Sequence, residues 1–295
     1  DASKWQITWW GNDALIGLDA TNTDRYLISL ASEPPTIEPL PIELNSYFLG
    51  HDAHLAFNLN TGSTTSRLDV FDVTTLSKVT RTFDDHWFMY REHAAARIWW
   101  LSTPGSVLPP TLRGVQEDRA DDLTTDIVLE LPSPDEDLFP QAFAVDSAHG
   151  QAAVSYNTSK GFRRVTVLYR LENDHAVEAG RFEQATSGVP QMGFSLDGQT
   201  LFLNNGNPDG WSGIDAYSTA TAEKIGSAPA QSFLITVEDG LTSSPYIDSD
   251  GLYLDLSAAY LPIIDETRLA VWNGHDTPRP VGPPACFLNR ARYRP

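Results

Sequence analysis

Residues 190–226 read PQMGFSLDGQTLFLNNGNPDGWSGIDAYSTATAEKIG. An apolar stretch runs into the Asp197-Gly198 pair, whose residues suit a tight turn, and a second apolar stretch, TLFL, returns from it. A loop rich in Gly and Asn follows. GIDAYS then leads into a Thr-rich turn before EKIG. The reading is four short antiparallel strands, one complete unit of a repeated sheet.

The unit recurs along the chain. Its third-strand pattern returns as IGLDATNT from Ile16, LDVFDVTT from Leu68, LRGVQEDR from Leu112, VLYRLEND from Val167 and LAVWNGHD from Leu269, at spacings of 44 to 55 residues. The first-strand pattern returns as SYFLGHD from Ser46, WFMYREH from Trp87, PQAFAVDS from Pro140, PYIDSDG from Pro245 and PACFLNR from Pro284. Such a period of strand-rich repeats is the sequence signature of a β-propeller. The expectation is an all-β, six-bladed propeller spanning residues 1–295 as one domain. An all-β sandwich is the alternative, but it does not call for six matched pairs of patterns. Only WQITWW precedes Ile16, room for one strand, so the Ile16 segment is expected as the third strand of a blade that lacks its own first strand. The ring is then expected to close by the C-terminal segment, Ala285 to Ala291, joining the N-terminal strands, because an unpaired sheet edge is a liability.

FSLDGQTLFL followed by GIDAYSTAT resembles a repeat of the YVTN and quinoprotein amine dehydrogenase-like propeller superfamily. The resemblance implies the fold. Its members have unrelated sites, so it implies no catalytic residue, although it adds a quinone-dependent dehydrogenase subunit to the functions to be weighed. No blade carries the Gly-His and Trp-Asp pair of a full WD40 repeat.

Composition narrows the partners. The chain has 39 acidic against 20 basic residues, a formal net charge of -19, and its only lysines are Lys4, Lys78, Lys160 and Lys224. Nucleic acid and anionic membranes are repelled by that balance. The single cysteine, Cys286, excludes an intrachain disulfide and a Cys-rich metal centre, and no apolar run reaches the length of a membrane span. The chain begins at Asp1, which points to a secreted or periplasmic protein. Nothing in the sequence sets an oligomeric state.

In a propeller, the loops entering each first strand and those joining second to third strands gather on one face, at the mouth of the central channel. This is the expected ligand site. The residues assigned to it are Trp10, Asn58, Gln141, Tyr156, Gln191, Asn204, Trp211 and Tyr246. Aromatic planes among neutral amides suit an uncharged or aromatic small molecule or a glycan. Asp85 and His86 form the one His-carboxylate neighbour pair expected there and are the candidate acid and base. Adjacent strand residues point to opposite sides, so either one faces the channel.

His51, Asp52 and His54 resemble a metal cluster, but they occupy the same repeat position as Glu92 with His93, Asp146 with His149, and Asp248 with Asp250. That position is a turn, where an Asp side chain caps the backbone, so no metal and no other cofactor is called for. There is no G-x-S-x-G nucleophile motif and no phosphate-binding glycine loop. N-T-S at Asn157 is a glycosylation sequon. Besides the dehydrogenase subunit that the resemblance implies, the residues leave two functions: a small-molecule enzyme of the lyase, isomerase or cyclase type acting at the channel mouth, or a non-catalytic propeller that binds a glycan or a protein.

Overall fold

The computed structural model describes residues 6–10, 14–18, 25–29, 33–39, 48–49, 55–61, 66–72, 75, 77–83, 87–92, 95, 97–102, 110–116, 127–132, 138–158, 163–173, 175–184, 191–206, 212–228, 232–233, 247–248, 251–255 and 269–280. Nearly all of these residues lie in antiparallel sheets that follow one another in chain order. Sheet 1 contains β1 (Gln6–Trp10), β2 (Ala14–Leu18), β3 (Arg25–Ser29) and β4 (Thr36–Pro39). Sheet 2 contains β5 (Phe48–Leu49), β6 (Leu55–Thr61), β7 (Ser66–Asp72) and β8 (Ser77–Phe83). Sheet 3 contains β9 (Trp87–Glu92), β10 (Arg97–Ser102), β11 (Thr111–Gln116) and β12 (Ile127–Glu130). Sheet 4 contains β13 (Leu138–Asp146), β14 (Gln151–Thr158), β15 (Arg164–Leu171) and β16 (Ala176–Gln184). Sheet 5 contains β17 (Met192–Phe194), β18 (Thr200–Gly206), β19 (Ser212–Ser218) and β20 (Lys224–Ala228). Sheet 6 contains β21 (Ser232–Phe233), β22 (Ile247–Asp248), β23 (Gly251–Asp255), β24 (Leu269–Trp272) and β25 (Arg279–Pro280). Sheets 1 and 2 belong to one compact unit and sheets 3 to 6 to another.

The third-strand pattern falls on the third strand in five of these sheets: β7, β11, β15, β19 and β24. Sheet 1 corrects the expectation. Ile16 lies in β2, the second strand, because β3 and β4 follow it from the same stretch. Pro39 within β4 and Pro34, Pro35 and Pro41 around it mask the strand in the sequence. It is an edge strand exposed along its whole length, the one sheet position where missing backbone donors cost nothing. Sheet 1 therefore has four strands from residues 6–39 alone. Residues 285–291, including Cys286, lie outside the described residues. In sheet 6 the first-strand position is shared, since β21 and β22 both pair with β23.

Sheet 4 shows why the sheets stack. Along β14 and β15, residues 152–156 and 164–169 are buried without a break, so both faces of the sheet are covered. On one face Phe143, Val154, Tyr156, Val167 and Tyr169 join Trp99, Leu101 and Leu112 of sheet 3 in a single core. On the other face Ala144, Ala153 and Leu168 join Met192, Leu201, Leu203 and Tyr217 of sheet 5. The first strands lie side by side, β13 touching β9 on one flank and β17 on the other. Sheet 5 in turn meets sheet 6, with the Phe202 and Trp272 ring centroids 5.7 Å apart.

An acid recurs on the third strand of sheets 2 and 5. Asp69 accepts hydrogen bonds from Arg67 at 2.9 and 2.8 Å and from Thr80 at 2.7 Å, with Lys78 at 3.1 Å. Asp215 accepts from Ser227 at 2.6 Å and pairs with Lys224 at 2.8 Å. Each is almost fully buried and is held by a hydroxyl and a lysine of the fourth strand. Burial raises the Asp69 carboxyl, but Arg67, Thr80 and Lys78 outweigh it and hold the group below its ordinary value.

Glycine is required where sheets 5 and 6 touch. A side chain at Gly226 would collide with the carbonyl oxygen of Gly274, whose own φ of 94° is open only to glycine at low cost. Gly226→Ala is expected to destabilise the fold by about 1–3 kcal/mol, the scale of an overpacked interface. A urea midpoint equal to wild type would contradict this approach of the two sheets.

Candidate functional site

Strand direction sorts the turns and loops of sheets 4 and 5 into two ends. The turns after β13 and β17 lie at one end. The connections after β14, β16 and β18 lie at the other.

The turn end is occupied by the acids of the first strands. Glu92, at the end of β9, accepts from the Trp99 indole at 2.7 Å and from the Ser147 backbone and hydroxyl, across the seam with sheet 4, at 2.6 and 2.9 Å. Asp146, at the end of β13, caps its own turn by accepting from the His149 backbone at 3.2 Å and sits 2.8 Å from His149 Nδ1. Gln151 donates to Asp146 at 2.9 Å and reaches across to the Gly198 carbonyl of sheet 5 at 2.7 Å. In the reference repeat, Asp197 caps its turn by accepting from Gln199 at 3.0 Å, and Gly198 takes a φ of 68°. Asp146 and Asp197 cap their own turns, while Glu92 ties sheet 3 to sheet 4 and Gln151, held by Asp146, ties sheet 4 to sheet 5. Among the described residues no group of three or more His, Cys, Asp or Glu could hold a metal. His51, Asp52, His54 and His93 lie outside those residues.

The loop end has a different chemistry. Residues directly opposite on adjacent strands share a face, and here the register gives one row across sheet 4: Phe139 opposite Asn157, Asn157 opposite Arg164, and Arg164 opposite Gln184. This row faces sheet 5. Phe139 is 43% exposed at the inner strand, whereas Arg164 is 1% and Gln184 9% exposed. Arg164 Nη1 donates to the Asn204 carbonyl across the seam at 3.2 Å. Burial lowers its guanidinium to about 10, against the opposing pull of Tyr217, so it remains a cation at neutral pH. Gln184 donates to the Tyr217 hydroxyl at 3.0 Å, and that hydroxyl points to Asp215 at 3.4 Å. The oxygens Asn157 Oδ1 and Gln184 Oε1 are buried and have no hydrogen-bond partner.

Of the residues expected at the mouth, Gln191 and Asn204 are brought together by the meeting of β17 and β18. The Gln191 backbone donates to Asn204 Oδ1 at 2.9 Å, and the Asn204 backbone donates back to the Gln191 carbonyl at 3.1 Å. Gln141 is half-buried and sits in a β-bulge of β13, between Pro140 and Ala142, where the pairing shifts register. Tyr156 is placed differently from its expected role. It is 1% exposed within the core between sheets 3 and 4, its hydroxyl 2.8 Å from that of Tyr169, because its position in β14 turns it to the face opposite Asn157. Asn58 is half-buried in β6, opposite Asp69 in the other compact unit. Trp10 ends β1 opposite Ala14, its side chain outside the described part. Asp85, His86, Trp211 and Tyr246 lie outside the described residues.

Phe139, Arg164 and Gln184 were not singled out from the sequence. A signal existed for Arg164: Val165, Val167 and Tyr169 alternate onto one face, which assigns Arg164 to the other. For Phe139 and Gln184 the cross-strand register was needed. Asn157, the first residue of the sequon, lies within β14 with its amide oxygen buried.

No family model and no curated protein matches the chain. Solved structures do. Hydrazine synthase of Kuenenia stuttgartiensis superposes with a TM-score of 0.52 at 9% identity over 88% of this chain and 73% of that one. A chain of a mitotic checkpoint complex gives 0.51 at 12% identity over 98% and 79%. An uncharacterized protein of Listeria monocytogenes EGD-e gives 0.50 at 10% identity over 94% and 82%. At these identities the likeness is one of fold, and it agrees with a β-propeller-like all-β architecture. Among the described residues no helix is long and apolar enough to cross a membrane.

Burial pushes the Glu92 carboxyl up, the hydrogen bonds from Trp99 and Ser147 draw it back, and Asp146 adds to the rise. A carboxyl raised in the folded state contributes stability that is complete below its unfolded value and is lost as pH rises through the folded one. The stability difference between wild type and Glu92→Gln should therefore shrink from pH 4 to pH 7 in urea melts. A difference that grows with pH would show that ionised Glu92 stabilises the seam.

Proposed function

We propose that the protein is a six-bladed β-propeller that binds an uncharged small molecule on the face formed by its loop ends. The observation that carries this reading is the polar row of sheet 4 beside the Gln191 and Asn204 pair. At the end where propeller ligands bind it places an exposed aromatic, Phe139, beside neutral amides, and two acceptor oxygens without partners lie buried behind them in the seam. A sheet interface serving packing alone gains nothing from unpaired oxygens, each of which costs about 1–3 kcal/mol. Within the described part of the row there is no histidine or carboxylate, which supports binding. Catalysis of the lyase, isomerase or cyclase type rests on Asp85 and His86. The acidic balance of the chain favours a neutral ligand over an anionic one at long range.

Saturation-transfer NMR with a mixture of neutral sugars, aromatic metabolites and charged controls tests the reading. Signals confined to neutral compounds are expected, and signals confined to anions, or none at all, would sink it. If a bound compound is also turned over, His86→Ala should slow turnover by roughly a hundredfold while leaving the melting temperature unchanged. Equal loss of stability and turnover would make His86 structural.

The six-bladed ring is supported by sheets 3 to 6 stacking in chain order and by the repeat of Pro284 to Arg290, which matches a first strand. Deleting residues 284–295 should then lower the melting temperature by several degrees, because a sheet edge is uncovered. An unchanged melting temperature would contradict closure by this segment.

A further inference from the structure

We propose that Asn273 is a modification site, where the folded chain deamidates without an enzyme and loosens the seam between sheets 5 and 6. Asparagine followed by glycine is the pair most open to this reaction, because no side chain shields the glycine nitrogen. The chain holds two such pairs, Asn205-Gly206 and Asn273-Gly274. The fold treats them differently. Asn205 and Gly206 lie in β18 opposite Gly213 and Ser212 of β19, so a ladder holds the backbone on both sides of their bond. Asn273 is exposed and follows β24 in the connection to β25.

The Asn273 carboxamide is held by its own connection. Its Oδ1 accepts from the backbone of His275 at 3.0 Å and of Asp276 at 3.1 Å, and its Nδ2 donates to Asp276 Oδ2 at 2.9 Å. Because both backbone donors lie beyond Gly274 in the chain, the carboxamide folds back over the Gly274 nitrogen. The same two N–H groups point at the oxygen on which negative charge grows during attack, the arrangement that stabilises a tetrahedral intermediate. Asp276 fixes the orientation of the amide and is a positioning residue. In the reaction, hydroxide removes the Gly274 amide proton and the nitrogen bonds to Asn273 Cγ. The bond from Cγ to Nδ2 then breaks, and water protonates the departing ammonia and returns hydroxide. A second water opens the cyclic imide at either carbonyl, giving aspartate or isoaspartate.

The consequence follows from where Gly274 sits. It is buried against sheet 5, where a side chain on it would meet Thr200, Ala216 and Phe202 at 3.2 to 3.4 Å. The Asp276 carbonyl also accepts from the Trp272 indole at 2.7 Å, which anchors the connection to the same seam. A carboxylate at position 273 loses the amide's bond to Asp276 and faces a like charge instead. Isoaspartate adds a carbon to the backbone beside the approach of Gly274 to Gly226.

The experiment ages the intact chain in buffer at pH 7 and pH 9 and follows the conversion of each asparagine by peptide mapping with mass spectrometry. Asn273 should convert to a mixture of aspartate and isoaspartate at least tenfold faster than Asn205, and faster at pH 9 than at pH 7. Asp276→Ala should slow conversion of Asn273 at least threefold in the folded chain and leave its rate in urea unchanged. The converted protein should melt several degrees below fresh protein, whereas Asn273→Ser aged beside it should keep its melting temperature. Equal rates at the two asparagines, or no conversion of Asn273, would overturn the proposal. So would faster conversion in Asp276→Ala, which would show that the connection protects the amide. Converted protein that melts like fresh protein, or an equal fall in aged Asn273→Ser, would overturn the loosening of the seam.

Discussion

Sheet 4 is buried on both faces, and most of the architecture of its compact unit follows from that. A sheet with one wet face can end a sandwich. A sheet whose two central strands are buried without interruption must have a neighbour on each side. Phe143, Val154 and Val167 commit one face to sheet 3, while Ala153 and Leu168 commit the other to sheet 5. Sheet 5 passes the same demand to sheet 6 through Phe202 and Trp272. Stacking in chain order keeps every connection short, and it lays β9, β13 and β17 side by side. The same logic explains why alternation of polar and apolar residues is weak in the central strands and clear in β16, whose burial alternates residue by residue as an outer strand's should.

Stacked sheets held by apolar contact alone could slide, and the turn end supplies the directional bonds that fix their offset. Glu92 takes three hydrogen bonds from two sheets, and Gln151 spends its amide on one acid of its own sheet and one carbonyl of the next. The first tether begins at the last residue of β9 and the second at the first residue of β14, beside the end of β13. The close approach of Gly198 beneath His149 and Asp146 belongs to the same arrangement, since a side chain at that glycine would strike both. The cost of burying Glu92 is accepted because the position is defined by its donors, and a hydrophobic residue there would leave the Trp99 and Ser147 donors unpaired.

The strand inventory was legible because it depends on short-range patterns: the Asp197-Gly198 turn, the period of 44 to 55 residues and the Thr/Asp-rich ends of third strands are all local. Sheet 1 was misread at a single point, where the prolines around Thr36–Pro39 conceal an edge strand that needs few backbone donors. The site was less legible. Gln191 and Asn204 were reachable because they flank one hairpin. The Phe139 to Gln184 row is assembled by register across four strands, and its register is set partly by the bulge at Gln141, which no local preference announces. Tyr156 shows the same limit from the other side: it was assigned to the mouth by its nearness to a loop, yet one residue of alternation sends it into the core while Asn157 faces sheet 5.

The face that sheet 4 turns to sheet 5 changes character in three steps from the turn end to the loop end. The first row is apolar, with Ala144, Ala153 and Leu168. The second holds Ser155 and Thr166, whose hydroxyls satisfy each other at 2.6 Å. The third holds Asn157, Arg164 and Gln184, and there two buried oxygens are left without partners. Packing can account for the first row and internal hydrogen bonding for the second. Neither accounts for the third, because an interface selected for stability alone would either continue the apolar row or pair its polar atoms as Ser155 and Thr166 do. The polar surplus is confined to the end where Phe139 reaches the surface. Among the described residues of this face unpaired buried oxygens occur only in that row, so whatever selects them acts at one end of the sheets and overrides packing for the length of a single row.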